Sequence, residues 1–117
     1  MLRGYRRKKG NIFGGLEVMS EKSILIKILR YLKTVPGCFC WKEHGGMYGT
    51  AGIPDIIACV NGRFVAFEVK TPSGKATKLQ EATIKKILNT GGVAAIVHSV
   101  DEVKVILEKH NLLQGTK

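Results

Sequence analysis

A chain of 117 residues, 44% apolar and 24% charged, has the size and composition of one globular domain. It has no apolar run long enough to span a bilayer, and no apolar stretch follows its basic N-terminus, so neither a membrane span nor a secretory signal is read and a cytoplasmic location is expected. Its net charge of +10, half of it from Arg3, Arg6, Arg7, Lys8 and Lys9, calls for a polyanionic partner, and charge alone leaves DNA, RNA and an acidic membrane surface open.

Residues 1–18 show no helical or strand period and are interrupted by Gly4, Gly10, Gly14 and Gly15. Two readings stand. One is a flexible basic arm that tracks phosphates through Arg6 and Arg7. The other is a leader outside the natural domain, because Met19-Ser20-Glu21 has the look of a translation start with a capped helix behind it. Either way, residues 19–117 are expected to form a single domain.

The first helix is expected over residues 20–35. Ser20 can cap it, Leu25, Ile28, Leu29 and Leu32 make an apolar stripe, and Pro36-Gly37 stops it. Glu21 lies in line with that stripe: it either points at the sheet or interacts with the helix dipole from the first turn. A strand follows over residues 38–43, with Cys38 and Cys40 alternating with Phe39 and Trp41. Three cysteines are an odd number without framework spacing, so reduced, partly buried thiols are expected. A zinc site from Cys38, Cys40, His44 and Cys59 lacks a CxxC knuckle. Residues 45–52 then hold four glycines around Tyr48 and Gly49, which let a backbone approach a ligand closely or simply join two strands.

Two β-branched and aromatic runs, residues 56–60 and 64–69, flank Asn61-Gly62. Asn-Gly between such runs is a strong hairpin signal, since a type I′ turn needs positive φ at both central residues. A two-residue loop pairs Val60 with Arg63 and, counting outward, Asp55 with Glu68. Alternation puts Ile56, Ala58, Val60, Val65, Phe67 and Val69 on one face and Asp55, Glu68 and Lys70 on the other. Directly opposed carboxylates repel. They must share a proton or hold a cation, so the pattern predicts a site for a hard cation with an amine beside it.

Thr71 to Lys75 reads as a turn. Thr77-Lys78-Leu79-Gln80 is a capping-box pattern opening a second helix, with an apolar stripe at Leu79, Ile84, Ile87 and Leu88. Gln80 also lines up with Ile84 and Ile87 on the side toward the sheet. Lys75, Lys78, Lys85 and Lys86 form either a solvated face or a phosphate track. Asn89 to Gly92 ends this helix, and residues 93–97 read as a strand buried on both sides. A last helix spans residues 101–110, capped by Ser99 or Asp101, with Val103, Ile106 and Leu107 inward. His98 is expected to be a satisfied edge residue or to face the site.

Pro54-Asp55 followed by Glu68-Val69-Lys70 resembles the PD-(D/E)XK nuclease superfamily. The fuller run from Gly52 through Ile57, with Glu68-Val69-Lys70 and Gln80, resembles its VRR-NUC branch, the small standalone phage-type members in particular. That resemblance covers most of residues 20–108. It implies an α/β, restriction-endonuclease-like core: a mixed β-sheet with a central hairpin, packed by helices. It further implies a metal-dependent endonuclease that cuts branched DNA, like a Holliday-junction resolvase, and acts as a homodimer. In the roles it suggests, Asp55, Glu68, Lys70 and Gln80 are catalytic. Asp55, Glu68 and the Val69 carbonyl, with Glu21 as a further candidate, hold Mg²⁺ or Mn²⁺. Tyr48, Gly49, Lys75, Lys78, Arg6 and Arg7 are the candidate DNA contacts. Two alternatives stay open: a flap or 5′-end repair-type nuclease, and a nucleic-acid-binding module without catalysis.

Overall fold

The computed structural model describes residues 19–44 and 51–113; residues 1–18, 45–50 and 114–117 lie outside that description. The described residues form seven elements in the order helix, strand, strand, strand, helix, strand, helix. They are α1 (Glu21–Leu32), β1 (Cys38–Lys42), β2 (Ile56–Val60), β3 (Arg63–Val69), α2 (Lys78–Asn89), β4 (Val93–Val97) and α3 (Val100–Lys109). The four strands form one sheet in the order β1-β2-β3-β4. β1, β2 and β3 pair antiparallel, whereas β4 returns parallel to β3 after the α2 crossover.

The hairpin turns where its sequence dictates. Asn61 has φ 49° and Gly62 φ 85°, and β2 pairs with β3 from Val60–Arg63 out to Ile56–Phe67. Asn61 also ties two other parts of the chain to the turn. Its main-chain N–H donates to the Gly37 carbonyl at 2.7 Å, and its side-chain amide donates to the Leu112 carbonyl at 2.8 Å. This contact brings the chain beyond α3 against the turn at the end of the hairpin.

One face of the sheet carries the core. Ile56, Ala58, Val60, Val65, Phe67 and Val69 pack with Ile24, Leu25, Ile28 and Leu32 of α1 and with Val103 and Leu107 of α3. The Ser20 hydroxyl caps α1 by accepting from the Ser23 N–H at 3.1 Å, and Ser99 caps α3 in the same way through Glu102. The first helix ends at Leu32, a few residues before the expected stop; a turn then leads to Gly37 at φ 76°.

The opposite face is covered more thinly. Ile84 and Ile87 of α2 rest on Ile57, Ala66 and Ala94, yet α2 has no fully buried residue. The expected inward stripe therefore narrows: Leu79 and Leu88, about 100° round the helix from their neighbours Gln80 and Ile87, are exposed. β4, expected to be buried on both sides, buries Val93, Ala94 and Val97 but leaves Ala95 and Ile96 half-buried, because it is an edge strand. Cys38 and Cys40 are half-buried on the core side, whereas Cys59 is exposed. Alternation in paired strands puts Cys59 on the opposite face from the other two, so the four-residue zinc set considered above is split across the sheet.

Candidate active site

The exposed end of the hairpin, where β2 begins and β3 finishes, gathers four polar side chains. Asp55 precedes β2 by one residue, in the register that sets it opposite Glu68. Its main-chain carbonyl accepts from the Glu43 N–H at 2.7 Å, which fastens it to the end of β1. Its carboxylate Oδ2 accepts from the Val69 N–H at 2.9 Å. The side chain is thus held by the strand that carries its partner acid.

Glu68 is 3% exposed, the one buried charged or polar residue among those described. Its Oε2 accepts from the Gln80 amide at 2.9 Å and lies 3.7 Å from the Lys70 ammonium. Burial raises its pKa from the ordinary 4.5 to about 7, aided by repulsion from Asp55, a hydrogen bond with Asp55 and the charge of Glu21, and opposed by Lys70. Two carboxyl groups and an ammonium therefore converge on one side of the sheet. Neither Oδ1 of Asp55 nor Oε1 of Glu68 receives an N–H from the described residues.

Gln80 performs two tasks with two atoms. Its Oε1 accepts from the Thr77 N–H at 2.9 Å and the Thr77 hydroxyl accepts from the Gln80 N–H at 3.1 Å, closing the capping box of α2. With Oε1 committed, Nε2 is left to donate to Glu68. Capping and a place at the site, which the sequence presents as competing explanations, coexist, and the group that Gln80 holds is Glu68.

The remaining candidates are placed as follows. Glu21 opens α1 at an exposed position from which its charge acts on Glu68. Lys75 and Lys78 are exposed on the approach to α2. Tyr48, Gly49, Arg6 and Arg7 fall outside the described residues. His98 is satisfied at the strand end: Glu102 Oε1 accepts from its main-chain N–H at 2.9 Å and lies 3.0 Å from Nδ1. Two anchoring contacts escape the sequence reading, the Glu43 and Val69 N–H groups on Asp55. Main-chain donors carry no side-chain signature, and only the strand register could have pointed to Val69.

The family model for the archaeal Holliday junction resolvase (Hjc) matches residues 43–116, from the end of β1 past α3. The chain belongs to this family. The match includes Asp55, Glu68, Lys70 and Gln80, while Glu21 lies before it. Two solved structures share the fold of this Hjc-family chain. One, titled "VRR_NUC domain protein", superposes with a TM-score of 0.65 at 19% identity, covering 84% of this chain and 93% of that one. Another, titled "VRR_NUC domain", gives a TM-score of 0.64 at 18% identity, covering 77% and 97%. No curated protein matches the chain. The mixed sheet with helices on both faces is thus a PD-(D/E)XK nuclease-like fold, and the chain is a nuclease-family domain. Among the described residues no helix is long and apolar enough to cross a membrane.

Proposed function

We propose that this domain is a divalent-metal-dependent endonuclease that hydrolyses phosphodiester bonds in branched DNA, with the four-way junction as its principal substrate. One observation carries the reading. A buried carboxylate, Glu68, is set against a second acid, Asp55, while an ammonium and an amide reach only one of its oxygens. Without a cation, burial and the neighbouring acid raise the pKa of Glu68 to about 7.

The donor set fits Mg²⁺ or Mn²⁺. Asp55, Glu68 and the Val69 carbonyl supply oxygen only, and the site contains no thiolate and no histidine pair, which is the preference of a hard cation. Glu21, whose charge is felt at Glu68, is a further candidate to hold it, directly or through water. When bound, such an ion would acidify a water molecule and offset charge on the phosphate. The protein's own groups do the rest. The Val69 N–H and the Gln80 amide fix one oxygen of each acid, so little reorganisation is needed when a phosphate arrives. Lys70, 13% exposed at its side chain, sits at the boundary between Glu68 and solvent. From there it orients the attacking water and meets negative charge building on the phosphate oxygens. Lys75 and Lys78 lie on the approach and meet the flanking phosphates.

A homodimer suits a junction with paired strands to cut, because a two-fold axis presents two equal sites. The experiment is cleavage of labelled four-way junctions, flaps, single strands and blunt duplexes of one sequence, in Mg²⁺, Mn²⁺ or EDTA. The reading expects metal-dependent cuts in the junction, abolished by Lys70→Ala with junction binding retained. Preferred cutting of flaps or 5′ ends would move the substrate to a repair-type nuclease. Binding without cleavage in either metal would leave a nucleic-acid-binding module.

A further inference from the structure

The sheet face that carries Glu68 is not closed by α2. On this face three aromatic side chains stand exposed, two on β1 and one on β3: Phe39 at 71%, Trp41 at 43% and Phe64 at 47%. Register places Phe39, Cys59 and Phe64 in one row across three strands, and Trp41, Ile57 and Ala66 in the next. The Phe39 and Trp41 ring centroids lie 5.5 Å apart. The Trp41 indole N–H donates to Glu43 Oε1 at 3.0 Å, so that ring is held in orientation.

Between this aromatic row and α2 runs a groove of about 450 Å³. Ile57 and Phe64 line it from the sheet, Thr83, Lys86 and Ile87 from the helix, and Glu43 and Pro54, the latter next in sequence to Asp55, from the segments that flank the strands. Pro54 brings the groove within one residue of Asp55. Its lining is mostly apolar, with one lysine, Lys86, and one acid, Glu43, whose carboxylate is engaged by the Trp41 indole.

We infer that this groove and its aromatic row bind unpaired bases of the DNA strand that lies across the acids. The inference rests on the nuclease reading above and narrows its substrate class to DNA with unstacked nucleotides beside the cut. Charge favours an anionic occupant: Lys86 stands on the groove wall of a chain whose net charge is +10. A nucleic-acid strand brings the opposite charge together with planar apolar faces. Three exposed aromatics on a rigid sheet offer such faces in a sequence-tolerant way, because every base has a π surface. Pro54 links the groove to Asp55, so a strand whose phosphate meets the acids has an apolar surface close by for its flanking bases.

The chain contains one tryptophan, so Trp41 reports on the aromatic row without any substitution. We would titrate the full chain in EDTA with an oligothymidylate, an abasic strand of equal length and a blunt duplex, following Trp41 fluorescence and, in parallel, anisotropy of labelled DNA. Saturable quenching by the oligothymidylate, absent with the abasic strand, is expected. Phe64→Ala should weaken oligothymidylate binding roughly 5- to 50-fold and leave abasic-strand binding within about twofold. Phe39→Ala, at the most exposed ring, gives the same pattern with no risk to the fold. Binding by anisotropy with unchanged Trp41 emission, or equal losses on both strands, would overturn the inference while the nuclease reading stands. So would sedimentation showing a dimer that Phe39→Asp converts to monomer. Base-dependent quenching by a chain that cuts nothing in Mg²⁺ or Mn²⁺ would leave the groove intact and remove the nuclease. Failure to bind any DNA would end both.

Discussion

Replacing Asp55 by asparagine should stabilise the metal-free protein, and only at neutral to alkaline pH. The folded pKa of Glu68, about 7, stands above its ordinary 4.5. The native state therefore keeps a proton that the unfolded chain has released, and stability falls as pH rises from about 4.5 through about 7, then levels. At about 1.4 kcal/mol for each unit, the whole shift costs on the order of 3 kcal/mol once Glu68 is ionised. Burial is its largest cause and survives the substitution; repulsion from Asp55 is second and does not. The relief is then about 1 kcal/mol. Asparagine keeps an oxygen to accept from the Val69 N–H, so the anchoring bond is not lost with the charge. Thermal melts in EDTA should show Asp55→Asn above wild type by about 3–6 °C near pH 8.5, and by little near pH 5.5, where Glu68 is protonated in both. Asp55→Ala, which also strips the Val69 N–H of its acceptor, should give up about 1 kcal/mol of that gain. A lower melting temperature for Asp55→Asn at the higher pH, or a difference that does not change with pH, would refute the repulsion between the two acids.

Other consequences follow from the same contacts. Gln80→Glu keeps the acceptor for the Thr77 N–H but replaces the donor to Glu68 with a third acid, so it should destabilise the metal-free protein by about 1–2 kcal/mol at neutral pH by chemical denaturation. Thr77→Ala removes the cap and should cost about 1 kcal/mol in the same measurement. Gly37→Ala places a methyl group into the Asn61 side chain at a backbone φ of 76°, so it should lower stability by about 1–3 kcal/mol; Asn61→Gly in the same background should recover part of that loss by opening the space. Lys70→Ala should abolish metal-dependent cleavage of a junction while its dissociation constant, measured in Ca²⁺, changes less than about threefold.

The hairpin was legible because one dipeptide sets its register. Once Asn61-Gly62 is the loop, alternation assigns every side chain between Asp55 and Lys70 to a face, and the acids meet without further assumptions. Helix caps were readable at Ser20 and Thr77, since each is a local bond between a hydroxyl and the N–H three residues on; for the last helix the sequence offered Ser99 or Asp101, and Ser99 is the cap. Periodicity was less informative for α2. Four apolar residues suggest a wide buried stripe, but a helix over half of a sheet needs only Ile84 and Ile87, and Leu79 and Leu88 turn outward. The strand over residues 38–42 has aromatic and thiol residues alternating, and its own sequence cannot tell which set faces the core; pairing with β2 decides it. For the same reason the groove beside α2 was not legible: Pro54, Phe64 and Lys86 are brought together by the crossover, not by spacing. The double use of Gln80 lay beyond reach because a capping box leaves the amide nitrogen's partner unspecified.

Calorimetric titration of the metal-free protein with Mn²⁺, run in buffers of different ionisation enthalpy near pH 6.5, tests the central claim most directly. The account predicts a site on each chain whose occupation releases protons from Glu68, and which Asp55→Asn and Glu68→Gln each weaken by tenfold or more. Binding of equal strength in both variants, or none at millimolar Mn²⁺, would contradict it.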